Sequence, residues 1–445
     1  MKERSGITTG VARERVVLAG LAESGAATAA EPPLTELRRL AETAGAEVVD
    51  EVLQKRARPS AATLIGRGKA DEIARRAASF GAGAVLFDND LTPAQVRNLE
   101  KIVKMRVVDR SEVILDIFAL RARSREAKVQ VELAQYEYLR PRLKRMWTHL
   151  ERIEGGAGGA LGGIGTRGPG EKQLEVDRRL VARRIKDLKD ELDALERQRR
   201  TRARAREGFF RVCLVGYTNA GKSSLLRALT GADAFVEDRL FATLDTQTRA
   251  WELPGRRKVF LSDTVGFLKD LPHHLVASFR ATLAEALDAD LLLHVADAAH
   301  PDADVQHEAV DRVLREIGAD GIPAILVLNK ADAVRDRIAL EVLRKGARDA
   351  VVVSARTGEG LAELSARVLR AVEQDHEEVS LEIDAGDGRT RAWIESKARV
   401  LSREYRDDAV VLRVRIARGD LARLKRDERG RVTAAERRGA RDAAR

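Results

Sequence analysis

One short string sets the strongest constraint on how this 445-residue chain folds. The apolar run 209–215 reads as a buried strand, and 222–230 has the pattern of a helix. Two glycines lie between them and a lysine-serine pair begins the helix, at a turn where backbone N–H groups can converge on phosphate oxygens. We therefore predict a phosphate-binding loop. Its predicted binding residues are Gly216, Tyr217, Thr218, Asn219, Ala220, Gly221, Lys222, Ser223 and Ser224.

A second motif predicts the metal side of the same site. Asp263, Thr264, Val265 and Gly266 follow the apolar run 259–261, which places a carboxylate at a strand end for a Mg²⁺ shell and a glycine near the γ-phosphate. Between the loop and this motif we select Thr243 as a hydroxyl ligand, which predicts a nucleotide-dependent switch there. The predicted Mg²⁺ ligands are Ser223, Thr243 and Asp263, and the predicted catalytic residues are Lys222, Thr243 and Gly266.

Two further strand ends predict which base is bound. The Asp332 carboxylate can accept hydrogen bonds from guanine N1–H and its N2 amino group, a pattern that adenine does not offer. A loop after 351–353 can serve the guanine O6. Four such strings in this order, each at a strand end, predict binding and hydrolysis of GTP. The predicted base-side residues are Asn329, Lys330, Asp332, Ser354, Ala355 and Arg356.

The residue after Gly266 is Phe267, so no glutamine stands there to orient the attacking water. We interpret Phe267 as a packed hydrophobic residue and predict slow intrinsic turnover. A bound partner or a monovalent cation would then complete the site. Asn219 is a candidate K⁺ ligand, and the alternative is that its side chain stabilises its own turn.

Charge and composition constrain the partners. The net charge of +10 and pI near 9.8 favour a polyanionic partner, although each basic cluster, at 140–145 and 197–206, is either RNA-binding or a solvated helix face. No apolar stretch approaches the roughly 20 residues of a membrane span. Cys213, the single cysteine, is expected in the core, and residues 1–15 lack an export signal. We expect a cytoplasmic monomer, with no metal-ligand spacing among the seven histidines.

Two helices flanking a glycine-rich loop are the most unusual part outside the nucleotide site. Residues 125–152 show helical periodicity with a predicted kink at Pro141. Apolar residues then recur every seven positions, which predicts an antiparallel hairpin. The loop 155–170 is either a plain linker or a probe suited to an RNA-lined site. The seam of the second helix consists of Leu174, Val181, Leu188 and Leu195, with Ile185 and Leu192 between them.

Strings at 142–147, 162–171 and 216–223 resemble the HflX family of translational GTPases, and 65–69 and 87–93 resemble the amino-terminal domain of that family. The resemblance covers nearly the whole chain. It implies binding to the large ribosomal subunit and its rRNA, splitting of stalled or idle ribosomes under stress, and GTP hydrolysis that is faster on the ribosome. One departure is the arginine at 356, where lysine is common in GTPases.

Two alternatives to ribosome splitting stay open from the sequence. The first is a GTPase that acts in assembly of the large ribosomal subunit. The second is a GTP-dependent signalling scaffold that holds a protein partner, with the basic arm incidental. Binding of a protein partner should survive high salt, whereas a phosphate-dominated contact weakens steeply as salt rises.

The predicted fold class is α/β: a P-loop GTPase domain preceded by a small α/β domain and an antiparallel helical hairpin, and followed by a small α+β domain. The predicted boundaries are 1–115, 116–206, 207–375 and 376–445. Residues 425–445 are basic and aromatic-free, and we predict a disordered tail there. Gly66 to Lys69 is interpreted as a helix start rather than as a second nucleotide site.

Overall fold

The computed structural model describes most of the chain. The described residues are 13–23, 31–143, 173–204, 209–231, 240–241, 246–268, 285–334, 340, 344, 350–406, 408–417, 420–421, 424–425 and 431–435. The glycine-rich loop 155–170, Thr243 and the histidine pair 273–274 lie outside these ranges.

The first structural unit is a four-stranded parallel sheet with the strand order β2-β1-β3-β4. Its strands are β1 (Arg15–Glu23), β2 (Glu47–Arg56), β3 (Ala84–Phe87) and β4 (Arg106–Asp109). Helices cover both faces: α1 (Thr35–Thr43) and α4 (Arg110–Arg121) on one, and α2 (Arg67–Ser79) and α3 (Pro93–Val103) on the other. Because β3 is covered on both sides, all four of its residues are apolar and buried.

Local sequence signals fix where the helices of this unit begin. Pro93 is the first residue of α3, and the Thr92 hydroxyl accepts a hydrogen bond from the Gln95 N–H while Gln95 bonds back to Thr92. The side chain of Asp109 caps α4 by accepting a hydrogen bond from the Glu112 N–H. Gly66 precedes α2 and its N–H donates to Gln54, which agrees with its interpretation as a helix start.

A helical hairpin follows, formed by α5 (Arg125–Leu139) and the long α6 (Gln173–Arg204). A 3-10 turn over Arg140–Arg142 contains Pro141, so the α-helical geometry is interrupted where the proline predicts a kink. The remainder of the predicted helix, 144–152, lies outside the described residues. Ion pairs join Glu132 to Arg184 and Arg125 to Glu191, which shows that the two helices run antiparallel. The predicted seam is confirmed from Val181 to Leu195, whereas the side chain of Leu174 lies outside the described residues. The buried and half-buried members of the seam are Val129, Leu133, Tyr136, Val181, Ile185, Leu188, Leu192 and Leu195.

Arg142 fits neither of the two interpretations of the basic cluster at 140–145, which were RNA binding and a solvated helix face. Its guanidinium donates hydrogen bonds to the carbonyl of Leu91 (2.7 Å) and to the Asp109 carboxylate (3.1 Å). It also lies 3.7 Å above the centre of the Tyr138 ring. Arg142 is therefore an internal cation that holds the base of the hairpin against the first unit, and neither a solvated residue nor an RNA contact.

The third unit is a six-stranded sheet with the order β10-β9-β8-β5-β7-β6, parallel except for the β6-β7 hairpin. Its strands are β5 (Arg211–Gly216), β6 (Gln247–Leu253), β7 (Arg257–Asp263), β8 (Leu291–Asp297), β9 (Ala324–Asn329) and β10 (Ala350–Val352). The α-helices of this unit whose full bounds lie within the described residues are α7 (Lys222–Thr230), α8 (Ala303–Ile317) and α9 (Leu361–Gln374). Its central strand β5 is almost wholly buried, and Cys213 packs there as predicted.

The last unit is an antiparallel sheet in the order β12-β13-β11-β14 with a helix packed beside it. It comprises β11 (His376–Asp384), α10 (Gly388–Lys397), β12 (Arg399–Tyr405), β13 (Ala409–Ala417) and β14 (Arg431–Ala435). The prediction of a disordered tail over 425–445 is therefore wrong at 431–435. That segment pairs with the free edge of β11 between Val379 and Glu382, a long-range contact that its basic composition does not indicate.

One hydrophobic core joins the first unit to the third. Leu37 of α1 and Phe118 of α4 belong to the same buried cluster as Phe241, Phe267 and Leu268. The rings of Phe118 and Phe241 meet edge to face with centres 4.6 Å apart. Tyr217, in the turn that follows β5, belongs to the same cluster as Leu37 and forms a hydrogen bond with Glu36 of α1, so α1 lies directly beside that turn. The predicted α/β fold class is confirmed.

Candidate nucleotide-binding site

The turn between β5 and α7 has a geometry that only glycine satisfies at two positions. Gly216 has φ +151°, and a β-carbon there would lie 2.1 Å from the carbonyl oxygen of Val295. Gly221 has φ +90°, and a β-carbon there would lie 2.3 Å from the Asn329 amide nitrogen. The backbone is therefore pressed against β8 and β9, and α7 begins at the end of this turn, so that the N–H groups of its first helical residues lie there.

Lys222 lies inside this turn. It is 6 % exposed, and its Nζ donates to the carbonyl oxygens of Gly216 (3.0 Å) and Tyr217 (2.8 Å). Burial lowers the pKa of Lys222 to about 8, with a smaller opposing effect from Asp263. The buried Thr218 hydroxyl has no hydrogen-bond partner within the described residues. A buried ammonium group and an unused hydroxyl fit a polyanion such as a chain of phosphates.

A hydroxyl and a carboxylate meet beside the turn. Ser223 donates its Oγ hydrogen to Asp263 Oδ2 at 2.5 Å, and Asp263 is 1 % exposed. Thr264 is buried too and its hydroxyl bonds to the Leu214 carbonyl, which fixes the end of β7 against β5. Oxygen donors of this kind are those that Mg²⁺ prefers, so the pair fits the predicted ion. The third predicted ligand, Thr243, lies outside the described residues.

The segment after β7 packs against the phosphate turn. The Phe267 N–H donates to Gly216 (3.0 Å), and the Thr218 N–H donates to Phe267 (2.7 Å). The Phe267 side chain is 2 % exposed, so it is packed as expected and presents no polar group. A β-carbon at Gly266 would lie 2.7 Å from Thr218 Cα and 2.9 Å from Lys222 Nζ. Glycine at 266 is therefore required by the approach of two backbones.

The base-side residues converge on the opposite end of the turn. Asn329 donates to the Ala220 carbonyl (2.9 Å) and accepts from the Ala355 N–H (3.0 Å). This one buried amide ties the phosphate turn to the loop after β10. Lys330 forms an ion pair with Asp297 at the end of β8 (2.7 Å).

Asp332 is held as a carboxylate. Its Oδ1 accepts from the Ser354 hydroxyl (2.5 Å), and its Oδ2 pairs with Arg356 (2.8 Å). The Ser354 hydrogen bond lowers the pKa of Asp332, with a smaller contribution from Arg356. The carboxylate is thus positioned and ionised, as an acceptor for two guanine N–H groups must be.

One part of the site has no counterpart in the sequence analysis. The Tyr217 hydroxyl of the phosphate turn donates to Glu36 of α1. Glu36 also pairs with the buried Arg110 (2.6 Å), and Arg110 pairs with Asp88 (2.7 Å). A cavity of about 220 Å³ opens beside this contact, between α1 and the turn, and Asn219 lies on its wall. Because Glu36 and Tyr217 are 181 residues apart, no local pattern could have indicated the contact.

Comparison with known proteins agrees with this geometry. Three family models match: "GTP-binding GTPase N-terminal" over residues 31–119, "GTP-binding GTPase Middle Region" over 121–206, and "50S ribosome-binding GTPase" over 211–330. GTPase HflX of Caldanaerobacter subterraneus subsp. tengcongensis is 41% identical over 406 residues, 91% of this chain and 91% of its own length. GTPase HflX of Escherichia coli is 43% identical over 402 residues, which cover 89% and 92%.

The chain belongs to the HflX family of GTPases. It is accordingly a GTP hydrolase, and the resemblance in the sequence analysis is confirmed. The chain is also similar to the crystal structure of a GTP-binding protein from Sulfolobus solfataricus in complex with GDP, with a TM-score of 0.42 and 25% identity over 81% of this chain and 99% of that one. No helix within the described part of this HflX-family chain has the length and apolarity needed to cross a bilayer.

Proposed function

We propose that this HflX-family GTPase binds the large ribosomal subunit and its rRNA and, in a GTP-dependent manner, splits stalled or idle ribosomes under stress. The observation that carries the proposal is the match of residues 211–330 to a family described as a 50S ribosome-binding GTPase. The hairpin α5-α6 supports it, because a stiff antiparallel arm with a closed apolar seam can carry the 155–170 loop away from the GTPase sheet.

We propose the boundaries 1–115, 116–206, 207–375 and 376–445 for the four units.

We assign the chemistry to residues of the phosphate turn. Lys222 and the backbone N–H groups of 217–223 stabilise negative charge on the phosphates as water attacks the γ-phosphate in line. Ser223 and Asp263, together with Thr243, are proposed to hold Mg²⁺, which would supply positive charge to offset the negative charge of the phosphates. Asn329, Asp332 and Ala355, with their neighbours in the two loops, are proposed to select guanine.

Turnover on the free protein should be slow. The buried side chain of Phe267 occupies the position after Gly266, and it cannot orient a water molecule. The ribosome or a monovalent cation is proposed to complete the site, with Asn219 as the K⁺ ligand. Single-turnover hydrolysis in K⁺ and in Na⁺ buffer tests the cation directly, since equal rates would remove it.

The central experiment measures GTP turnover with and without purified large subunits, and follows intact ribosomes on sucrose gradients. Strong acceleration together with conversion of intact ribosomes to subunits supports splitting. Binding only to immature large subunits would instead favour a role in assembly. Deletion of 155–170 should leave nucleotide binding intact and abolish the conversion. A protein that binds no ribosomal particle with either GTP or GDP would overturn the proposal, as would a protein partner retained at high salt.

We propose that the protein acts in the cytoplasm as a monomer.

A further inference from the structure

A side-chain cluster between β8 and α8 has no part in the proposed GTP chemistry. His294 lies in the middle of β8, paired with Val215 of β5, and is 4 % exposed. His307 and Asp311 lie one turn apart on α8, and both side chains are half-exposed. One ligand atom from each of the three residues lies within 4.8 Å of the other two.

The contacts within this cluster are longer than ordinary hydrogen bonds. His307 Nδ1 is 3.3 Å from His294 Nε2, His294 Nδ1 is 3.4 Å from Asp311 Oδ1, and His307 Nε2 is 3.6 Å from Asp311 Oδ2. Hydrogen bonds from N–H to oxygen are mostly about 2.7–3.2 Å long. These three contacts use both ring nitrogens of each histidine and both oxygens of Asp311, so they join different pairs of atoms; for one ligand atom from each residue, the separations are within 4.8 Å. Ligands that share a tetrahedral zinc ion at about 2.0–2.1 Å are separated by about 3.3 Å, so coordination requires these side chains to draw closer together.

The chemistry of the three groups also suits a cation. A neutral imidazole carries one N–H and one lone pair, so two facing imidazoles and a carboxylate hold more acceptor atoms than hydrogens. Burial is the main cause that lowers the pKa of His294, which keeps its ring neutral and able to coordinate. A positive ion at the centre would satisfy the lone pairs that converge there.

The elements that carry the cluster are arranged as a metal site requires. The sheet fixes the ring of His294, whereas the half-exposed side chains on α8 can move by the small distance that coordination requires. Their spacing of four residues places them on one face of the helix. Because both side chains on α8 are half-exposed, water can reach the cluster as a fourth ligand.

We propose that His294, His307 and Asp311 bind a divalent transition-metal ion of the zinc class. This ion would cross-link α8 to β8. The seven histidines show no metal-ligand spacing along the sequence, because the site is formed between a strand and a helix that only the fold brings together. Nitrogen and carboxylate ligands in a tetrahedral arrangement suit Zn²⁺ better than Mg²⁺, which prefers oxygen in an octahedron. The inference does not depend on the proposed ribosomal function.

Calorimetric titration of the full chain with Zn²⁺ tests the site. The protein is first stripped with a chelator and kept nucleotide-free in excess Mg²⁺, so that Ser223 and Asp263 do not supply the signal. We expect one equivalent to bind and to raise the melting temperature. His307→Gln and Asp311→Asn should each weaken binding by about tenfold or more. The control is Glu308→Gln, which removes an exposed carboxylate from the same helix and should bind as the wild type does.

Two outcomes would overturn the proposal. One is Zn²⁺ binding that is equally tight in His307→Gln and in the wild type, since the signal would then come from other histidines. The other is a wild-type melting temperature that does not change on addition of Zn²⁺, while circular dichroism shows that the wild type and His307→Gln are both folded. His294 itself is left unchanged in the test, because its burial in the sheet makes a folding defect the expected result of replacing it.

Discussion

At the scale of single residues, closely packed neighbours leave no space for a β-carbon at certain positions in and beside the phosphate turn. Gly266 is the sharpest case, because a β-carbon there would meet both the Thr218 backbone and the Lys222 ammonium group. The turn and the end of β7 therefore approach one another as bare backbone. Such a contact can sense a ligand, since any movement of one segment must move the other.

Replacing Gly266 with alanine should lower the affinity for GTP by about tenfold or more, because overpacking typically costs about 1–3 kcal/mol and here falls on the phosphate turn. Titration with a fluorescent nucleotide measures this affinity. Gly68→Ala is the matched control, since a β-carbon at Gly68 meets nothing within 4 Å and lies in a helix. Equal nucleotide affinities for the two variants would contradict the assignment of Gly266.

Lys222 gives the site a pH dependence. Its pKa is about 8 in the free protein because it is buried, and bound phosphates would raise that pKa by stabilising the ammonium form. Binding above pH 8 then requires uptake of a proton. Affinity for GDP in Mg²⁺-free buffer should be constant below pH 8 and fall by up to about tenfold per pH unit above it.

Titration of GDP binding between pH 7 and pH 9 measures this effect. Guanosine is the control ligand, because it lacks phosphates and reports only changes at the base. A GDP affinity that stays flat to pH 9, or that falls in parallel with guanosine, would show that Lys222 remains charged in the free protein.

At the scale of elements, the apolar seam between α5 and α6 is the contact that holds the two helices of the hairpin together. Leu188 is fully buried in it, whereas Leu180 on the same helix is 56% exposed. Leu188→Ala should destabilise the packed arm by about 2–5 kcal/mol, which is the usual cost of removing a buried leucine side chain. Leu180→Ala should have almost no effect.

Trypsin measures this difference, because α6 is rich in arginine and cleavage requires local opening. Cleavage within 173–204 should be much faster in Leu188→Ala than in the wild type and unchanged in Leu180→Ala. Equal cleavage of the two variants would mean that the seam does not hold the hairpin together.

The elements also show what the sequence could and could not predict. The phosphate turn, the strand ends and the heptad seam were predictable, because each depends on residues close together in the chain. Strand β14 was missed because its pairing with β11 compensates for a basic, aromatic-free segment. Arg142 was missed because its partners Leu91 and Asp109 are 51 and 33 residues away.

At the scale of the whole molecule, the link between Tyr217 and Glu36 connects the nucleotide turn to the first unit. Glu36 lies on α1 and shares the buried Arg110 with Asp88, so this polar network lies beside the apolar core that both units share. A nucleotide that orders the turn should therefore also order α1. The first unit would respond to the nucleotide although it contributes no residue to the predicted site.

Hydrogen exchange measured by mass spectrometry tests this coupling. In the wild type, GDP or a non-hydrolysable GTP analogue should slow exchange in β5 and in α1. Glu36→Ala should leave the effect in β5 and reduce that in α1 by roughly 10–100-fold, because hydrogen bonds to charged groups contribute about 1.5–3 kcal/mol. Glu42→Ala, an exposed change on the same helix, should behave as the wild type does. If α1 responds equally in Glu36→Ala, the shared apolar core alone carries the signal, and the Tyr217 contact has no part in it.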